Sequence, residues 1–183
     1  MVLTPANQVT LVRMLLIPLF VIMVIYGYLG IALVVFLAAA ITDAIDGLLA
    51  RLSGEKTSLG AWLDPMADKL LLVSTFIVLS IPGLGLTNRL PIWLTVCMIS
   101  RDIVIILTVI IVNLAIGRRT FRPSIFGKIA TGTYFVTAVA AMFFNYLGYH
   151  SDVVDVLIYA SLAITAVSSL HYIWHAKRII EAE

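Results

Sequence analysis

Long apolar runs separated by short polar stretches dominate this chain. A helix needs about 20 mostly apolar residues to cross a bilayer. Six runs meet that length: roughly Gln8–Tyr28, Gly30–Ala50, Ala61–Ile81, Pro91–Asn113, Ser124–Leu147 and Val153–His175. The connections are short. One carries turn chemistry (IPGLGLTNRLP), one is basic (AIGRRTFRP) and one is brief and polar (GYHSD). No low-complexity segment or internal repeat stands out. Six such runs in series predict an all-α integral membrane protein with six transmembrane helices, forming one membrane domain over residues 1–183, rather than a soluble globule with buried helices.

Composition strengthens that picture. The chain is 62% hydrophobic and only 12% charged, whereas soluble domains are nearer half apolar and a quarter charged. A net charge of +2 leaves no broad basic footprint for nucleic acid. Cys97 is the only cysteine, which excludes an internal disulfide and a cysteine-based metal cluster. Asn7 and Arg13 break the charged-then-apolar order of a cleaved signal peptide. Lysines and arginines gather on one side: Arg51, Lys56, Arg118, Arg119, Arg122, Lys128, Lys177 and Arg178, against Arg89 on the other. By the positive-inside rule the rich side is cytoplasmic, and both termini lie there. Trp62, Trp93 and Trp174 fall near helix ends, as an interfacial aromatic belt should.

Against this background one polar cluster is out of place. Asp43, Asp46, Asp64 and Asp68 flank the connection between the second and third runs. Asp43 lies eight residues before Arg51, so about 12 Å up a helix from that end at 1.5 Å per residue. Asp43 and Asp46 are three apart, and Asp64 and Asp68 four apart, so each pair shares a helix face. Gly47 and Ala50 continue the first face, and Gly60 lies one turn before Asp64. Small residues let a backbone or a flat ligand come close. A charge deep in a spanning helix costs about 2.5–3.5 kcal/mol, so four unpaired carboxylates would cost on the order of 10 kcal/mol. A divalent cation offsets both that cost and the mutual repulsion. Hard oxygen donors suit Mg²⁺, Mn²⁺ or Ca²⁺, and the lack of His or Cys argues against zinc. Aspartates that merely cap helix ends are the bland alternative.

Written as a pattern the segment is D-x2-D-G-x2-A-R-x8-G-x3-D-x3-D, which resembles the signature of the CDP-alcohol phosphotransferase (CDP-alcohol phosphatidyltransferase) family at all eight positions: Asp43, Asp46, Gly47, Ala50, Arg51, Gly60, Asp64 and Asp68. The opening TPANQVTLVRMLLIP is similar to the family's Asn-Thr-Arg opening. The resemblance implies a CDP-linked lipid donor, normally CDP-diacylglycerol, and a centre of two divalent cations, Mg²⁺ or Mn²⁺, with Ca²⁺ as an inhibitor. It implies Asp43, Asp46 and Asp64 as metal ligands with Asp68 near them. Gly47, Ala50 and Gly60 would leave room for cytidine, and Arg51 would pair with a phosphate. Asp68 is implied as the general base that takes the proton from an acceptor alcohol, with CMP leaving. A homodimer in the cytoplasmic membrane, or the equivalent organelle membrane, with its site facing the cytoplasm, is implied too.

The acceptor is sought elsewhere in the chain. Arg101 and Asp102 are ionisable residues within the fourth run, where charge marks a functional position or a structural ion pair. Arg122 and Lys128 bracket the start of the fifth helix, whose free N–H groups favour an anion. Basic residues there also serve as a topology signal or headgroup patch. The ISRD segment resembles two branches of the family, one using glycerol 3-phosphate and one making cardiolipin from phosphatidylglycerol. The first tends to read S-R-E followed by a Leu-Arg, whereas here the acid is Asp102 and ILTVI lacks arginine. The R-P-S-x3-K run and the HYIWHAKR tail look more like the cardiolipin branch. Phosphatidylglycerol is therefore the expected acceptor and glycerol 3-phosphate the alternative. A cation transporter is the rival class, because submerged aspartates also mark ion paths. An arginine beside the acids and their displacement toward one face speak against it.

Overall fold

The computed structural model describes residues 5–53, 58–116 and 124–181; within these, the side chains of 5–8, 43–53, 58–65, 115–116, 175–176 and 178–181 lie outside the description. Six helices follow one another: α1 (Pro5–Ile25), α2 (Leu29–Ser53), α3 (Ser58–Ser80), α4 (Ile92–Ile116), α5 (Ile125–Leu147) and α6 (Asp152–Glu181). No strand occurs among the described residues. Each helix matches one predicted apolar run, with shifted ends. Within the described residues, three stretches are long and apolar enough to cross a membrane: Ile92–Leu114, Ile125–Leu147 and Asp152–Trp174. The apolar stretches Val9–Ile25 and Leu29–Thr42 are shorter.

Local chemistry explains the shifted ends. α1 stops at Ile25, short of the predicted Tyr28. Gly27 adopts φ +78°, its N–H donates to the Val24 carbonyl, and the Tyr28 N–H donates to the Met23 carbonyl. That paired closure is a glycine C-cap, which a residue with a Cβ adopts only under strain. Ser124 caps rather than begins α5, its Oγ accepting from the Gly127 N–H at 3.0 Å. α6 starts with Asp152 and Asp155 in its first turn, favourably placed on the helix dipole. It then outruns its apolar stretch to reach Glu181.

The chain divides into two compact units, Met1–Arg89 with Ala141–His150, and Leu90–Ala140 with Ser151–Glu183. In the first, α1 packs along both α2 and α3, while α2 and α3 touch each other lightly. Phe20 and Phe36 meet at 5.8 Å between ring centroids, and Ala32 and Ala39 are buried on α2. α1 is thus the wall that braces the two helices bearing the acidic motif. At the rim, Asn88 and Asn145 bond reciprocally: Asn145 Oδ1 accepts from the Asn88 N–H at 2.7 Å, and Asn145 Nδ2 donates to the Asn88 carbonyl at 3.1 Å. Asn88 Nδ2 also donates to the Tyr149 carbonyl.

In the second unit α4 packs on α6. A polar stripe on α6 faces inward. Ser161 shares a hydrogen bond with Thr137 at 2.9 Å, and Thr165 shares one with Tyr134. Ser168 and Tyr172 continue the stripe, three and seven residues after Thr165. Apolar side chains such as Val156, Tyr159, Val167, Leu170 and Ile173 point outward. The outward face is apolar, as a lipid-facing surface would be, while inside Val154 and Ile158 mix with hydroxyls that find partners between helices.

Candidate active site

Helical backbone runs through both halves of the acidic motif. Asp43, Asp46, Gly47, Ala50 and Arg51 fall on α2, and Gly60, Asp64 and Asp68 on α3. The spacings of three and four residues therefore do place each acidic pair on one helix face. The side chains of Asp43, Asp46, Arg51 and Asp64 lie outside the described residues, as does any side-chain geometry around Gly47, Ala50 and Gly60.

Asp68 is described, and it has a partner that the spacing pattern did not reveal. Arg13 of α1 donates from Nη1 to Asp68 Oδ1 at 3.1 Å. The Arg13 side chain is wholly buried, whereas the Asp68 side chain is 47% exposed. A buried guanidinium needs such a partner, because an unpaired charge away from water is costly. The geometry ties α1 to α3 at the acidic motif and fixes which way one Asp68 oxygen points. The sequence did carry a signal: Arg13 is a charge inside an otherwise apolar run. What it lacked was the identity of the carboxylate, which lies 55 residues away.

An all-carboxylate set suits a hard divalent cation and, lacking His and Cys, is a poor match for zinc. Aspartates at spacings of three and four on two helices braced by a third fit that role.

In the second unit, Arg101 and Asp102 are brought into an ion pair, Nη1 to Oδ1, at 2.8 Å. The pair links neighbours on α4 rather than two helices. The adjoining helix contributes a hydroxyl instead: Arg101 Nη2 donates to Ser168 Oγ at 3.0 Å. Arg101 is 8% exposed, and its Nε has no hydrogen-bond partner among the described residues. The first turn of α5 lies against the guanidinium, since a Cβ on Gly127 would stand 3.0 Å from Nη2. Lys128, next along that turn, is exposed and its N–H donates to the Ser124 carbonyl. Arg122 lies outside the described residues. Ser168, Gly127 and Tyr172 went unnoticed in the sequence, because nothing local distinguishes them from ordinary small or aromatic positions in a membrane helix.

The His171 ring packs against Phe126, with centroids 4.9 Å apart. Cys97 is a free thiol.

Comparison with known proteins gives a consistent result. A family model described as CDP-alcohol phosphatidyltransferase matches residues 3–167. A protein of Mycobacterium tuberculosis named "Probable phosphatidylglycerophosphate synthase" is 36% identical over 96% of this chain and 82% of its own length. The CDP-diacylglycerol–glycerol-3-phosphate 3-phosphatidyltransferase of Haemophilus influenzae is 31% identical over 92% of this chain and 90% of its own. The CMP-forming cardiolipin synthase of Homo sapiens is 26% identical over 96% of this chain and 62% of its own.

Proposed function

Since the chain belongs to the CDP-alcohol phosphatidyltransferase family, we propose that it moves the phosphatidyl group of CDP-diacylglycerol onto phosphatidylglycerol, forming cardiolipin and releasing CMP. The observation that carries the transfer chemistry is the complete eight-position acidic motif on α2 and α3, two helices braced by α1. Membership makes the chain an enzyme, so the transporter reading falls away.

In this reading Asp43, Asp46 and Asp64 hold the divalent cations, with Asp68 beside them. Bound Mg²⁺ or Mn²⁺ would neutralise the diphosphate and so favour displacement at phosphorus. Gly47, Ala50 and Gly60 leave space for cytidine, and the Arg51 charge binds a phosphate. Asp68 accepts the proton of the acceptor hydroxyl as its oxygen attacks the lipid-side phosphorus. The bond from that phosphorus to CMP breaks, and CMP leaves with the electron pair. Arg13 holds one Asp68 oxygen and so aligns the base. Positioning of this kind is most of what phosphoryl transfer asks of a protein. Arg101, Asp102, Arg122 and Lys128 are assigned to the acceptor's phosphate.

We further assign six membrane crossings to the six helices, both termini and the site to the cytoplasmic face, and a homodimer in the cytoplasmic membrane as the working state. With the site at that face, a nucleotide departs into water while acyl chains stay in lipid.

Phosphatidylglycerol is favoured by the spacing of Arg122 and Lys128, the HYIWHAKR tail and Asp102 after Arg101. A second reading, glycerol 3-phosphate, is favoured by the Mycobacterium tuberculosis and Haemophilus influenzae relatives, 36% and 31% identical over 96% and 92% of this chain, one named a phosphatidylglycerophosphate synthase and the other named for glycerol 3-phosphate itself. Purified protein in detergent with Mg²⁺ and radiolabelled CDP-diacylglycerol decides between them. Labelled cardiolipin on adding phosphatidylglycerol is the expected result. Product formed with glycerol 3-phosphate alone would transfer the assignment to that acceptor, and no CMP release with either would overturn the activity.

A further inference from the structure

We propose that Ser168 and Gly127 are positioning residues for Arg101, fixing the guanidinium that receives the acceptor's phosphate and thereby setting acceptor affinity. The proposal rests on the assignment of Arg101 to the acceptor made above. Arg101 has five N–H donors in a rigid plane. Asp102 takes one from the same helix at 2.8 Å, and Ser168 takes another from α6 at 3.0 Å. With two points fixed, the planar group can no longer rotate about its stem.

The third constraint is steric. Gly127 sits in the first turn of α5, and an added Cβ there would stand 3.0 Å from Arg101 Nη2, 3.3 Å from Ser124 Oγ and 3.8 Å from the Tyr172 ring. Neither Ser124 nor Tyr172 is free to give way. Ser124 Oγ caps the helix through the Gly127 N–H, and the Tyr172 hydroxyl accepts from the Ser124 N–H at 3.4 Å. A side chain at 127 would therefore displace the guanidinium rather than its neighbours.

A purely structural pair would be complete once Asp102 had met Arg101. Here a second helix and a helix start converge on the same group, yet its buried Nε still has no acceptor among the described residues. A buried donor left without a partner is costly, and in native structures it calls for an explanation. An anionic oxygen supplied by a ligand is that explanation, and the start of α5 adds favourable N–H dipoles beside it. The orientation of Arg101 then matters, because phosphate is recognised by the fork's geometry as well as its charge.

The test is steady-state kinetics on the full chain in mixed micelles, varying phosphatidylglycerol and, in parallel, glycerol 3-phosphate, with thermal unfolding recorded for each variant. Ser168→Ala and Gly127→Ala should each raise the acceptor KM about tenfold, the scale of one hydrogen bond to a charged group. The KM for CDP-diacylglycerol and kcat should stay within about twofold. Ser168→Thr, which keeps the hydroxyl, should return the acceptor KM to that of the unaltered chain. Arg101→Met supplies the reference, with a larger rise in acceptor KM. Should Arg101→Met raise it while Ser168→Ala and Gly127→Ala do not, the positioning role is wrong and the acceptor assignment stands. If Arg101→Met leaves acceptor KM unchanged, the assignment itself fails and the inference with it. Loss of all kinetic parameters together with a lowered unfolding temperature in both small-residue variants would mean a structural role and would also overturn the proposal.

Discussion

Replacing Arg13 by Met removes the guanidinium beside Asp68 while keeping an unbranched apolar stem. The bond spans 3.1 Å between a wholly buried donor and a carboxylate side chain that is 47% exposed. A hydrogen bond to a charged group contributes about 1.5–3 kcal/mol, and solvent on the Asp68 side places this one near the low end, about 1.5 kcal/mol. If Arg13 serves to align the base, losing that amount in the transition state slows turnover about tenfold. CMP release in detergent, with thermal unfolding recorded to show that the variant is folded, measures the loss. Turnover of Arg13→Met equal to that of the unaltered chain would refute the alignment role.

Asp68→Asn should abolish turnover yet leave CDP-diacylglycerol binding largely intact, measured by equilibrium binding of labelled lipid; lost binding in a folded variant would contradict its role as base. Adding Arg13→Met to Asp68→Asn should cost no further activity, because both act on one step. Asp43→Ala and Asp64→Ala should each lose activity together with its dependence on Mg²⁺, and a residual rate still stimulated by the metal would count against their ligand role. Thr137→Val removes the hydroxyl shared with Ser161. It should cost about 0.6 kcal/mol, and not above about 1.7, seen as a small fall in unfolding temperature with kcat preserved.

The sequence by itself determined the helices and the acidic motif, because both rest on local periodicity. A run of about 20 apolar residues can satisfy its backbone in lipid as a helix, so the six helices were legible before any contact was known. Aspartates at spacings of three and four share a helix face whatever lies around them, so Asp43 with Asp46 and Asp64 with Asp68 could be paired from their numbers alone. Helix ends were less legible. α1 closes early at the left-handed Gly27, and α6 runs past its apolar stretch to Glu181, neither of which a count of apolar residues can register.

Only the tertiary structure decided the partners. Arg13 meets Asp68 across 55 residues, and Arg101 meets Ser168 across 67. No periodicity spans such distances. Apolar periodicity also leaves the inward face undecided: on α6 Ser161, Thr165 and Ser168 turn inward together with Val154 and Ile158, while Val156, Val167, Leu170 and Ile173 face out. A serine in an apolar helix says little until a neighbouring helix shows which donor it must satisfy. Packing places Ser168 opposite a buried arginine, and that juxtaposition gives an inconspicuous hydroxyl its meaning.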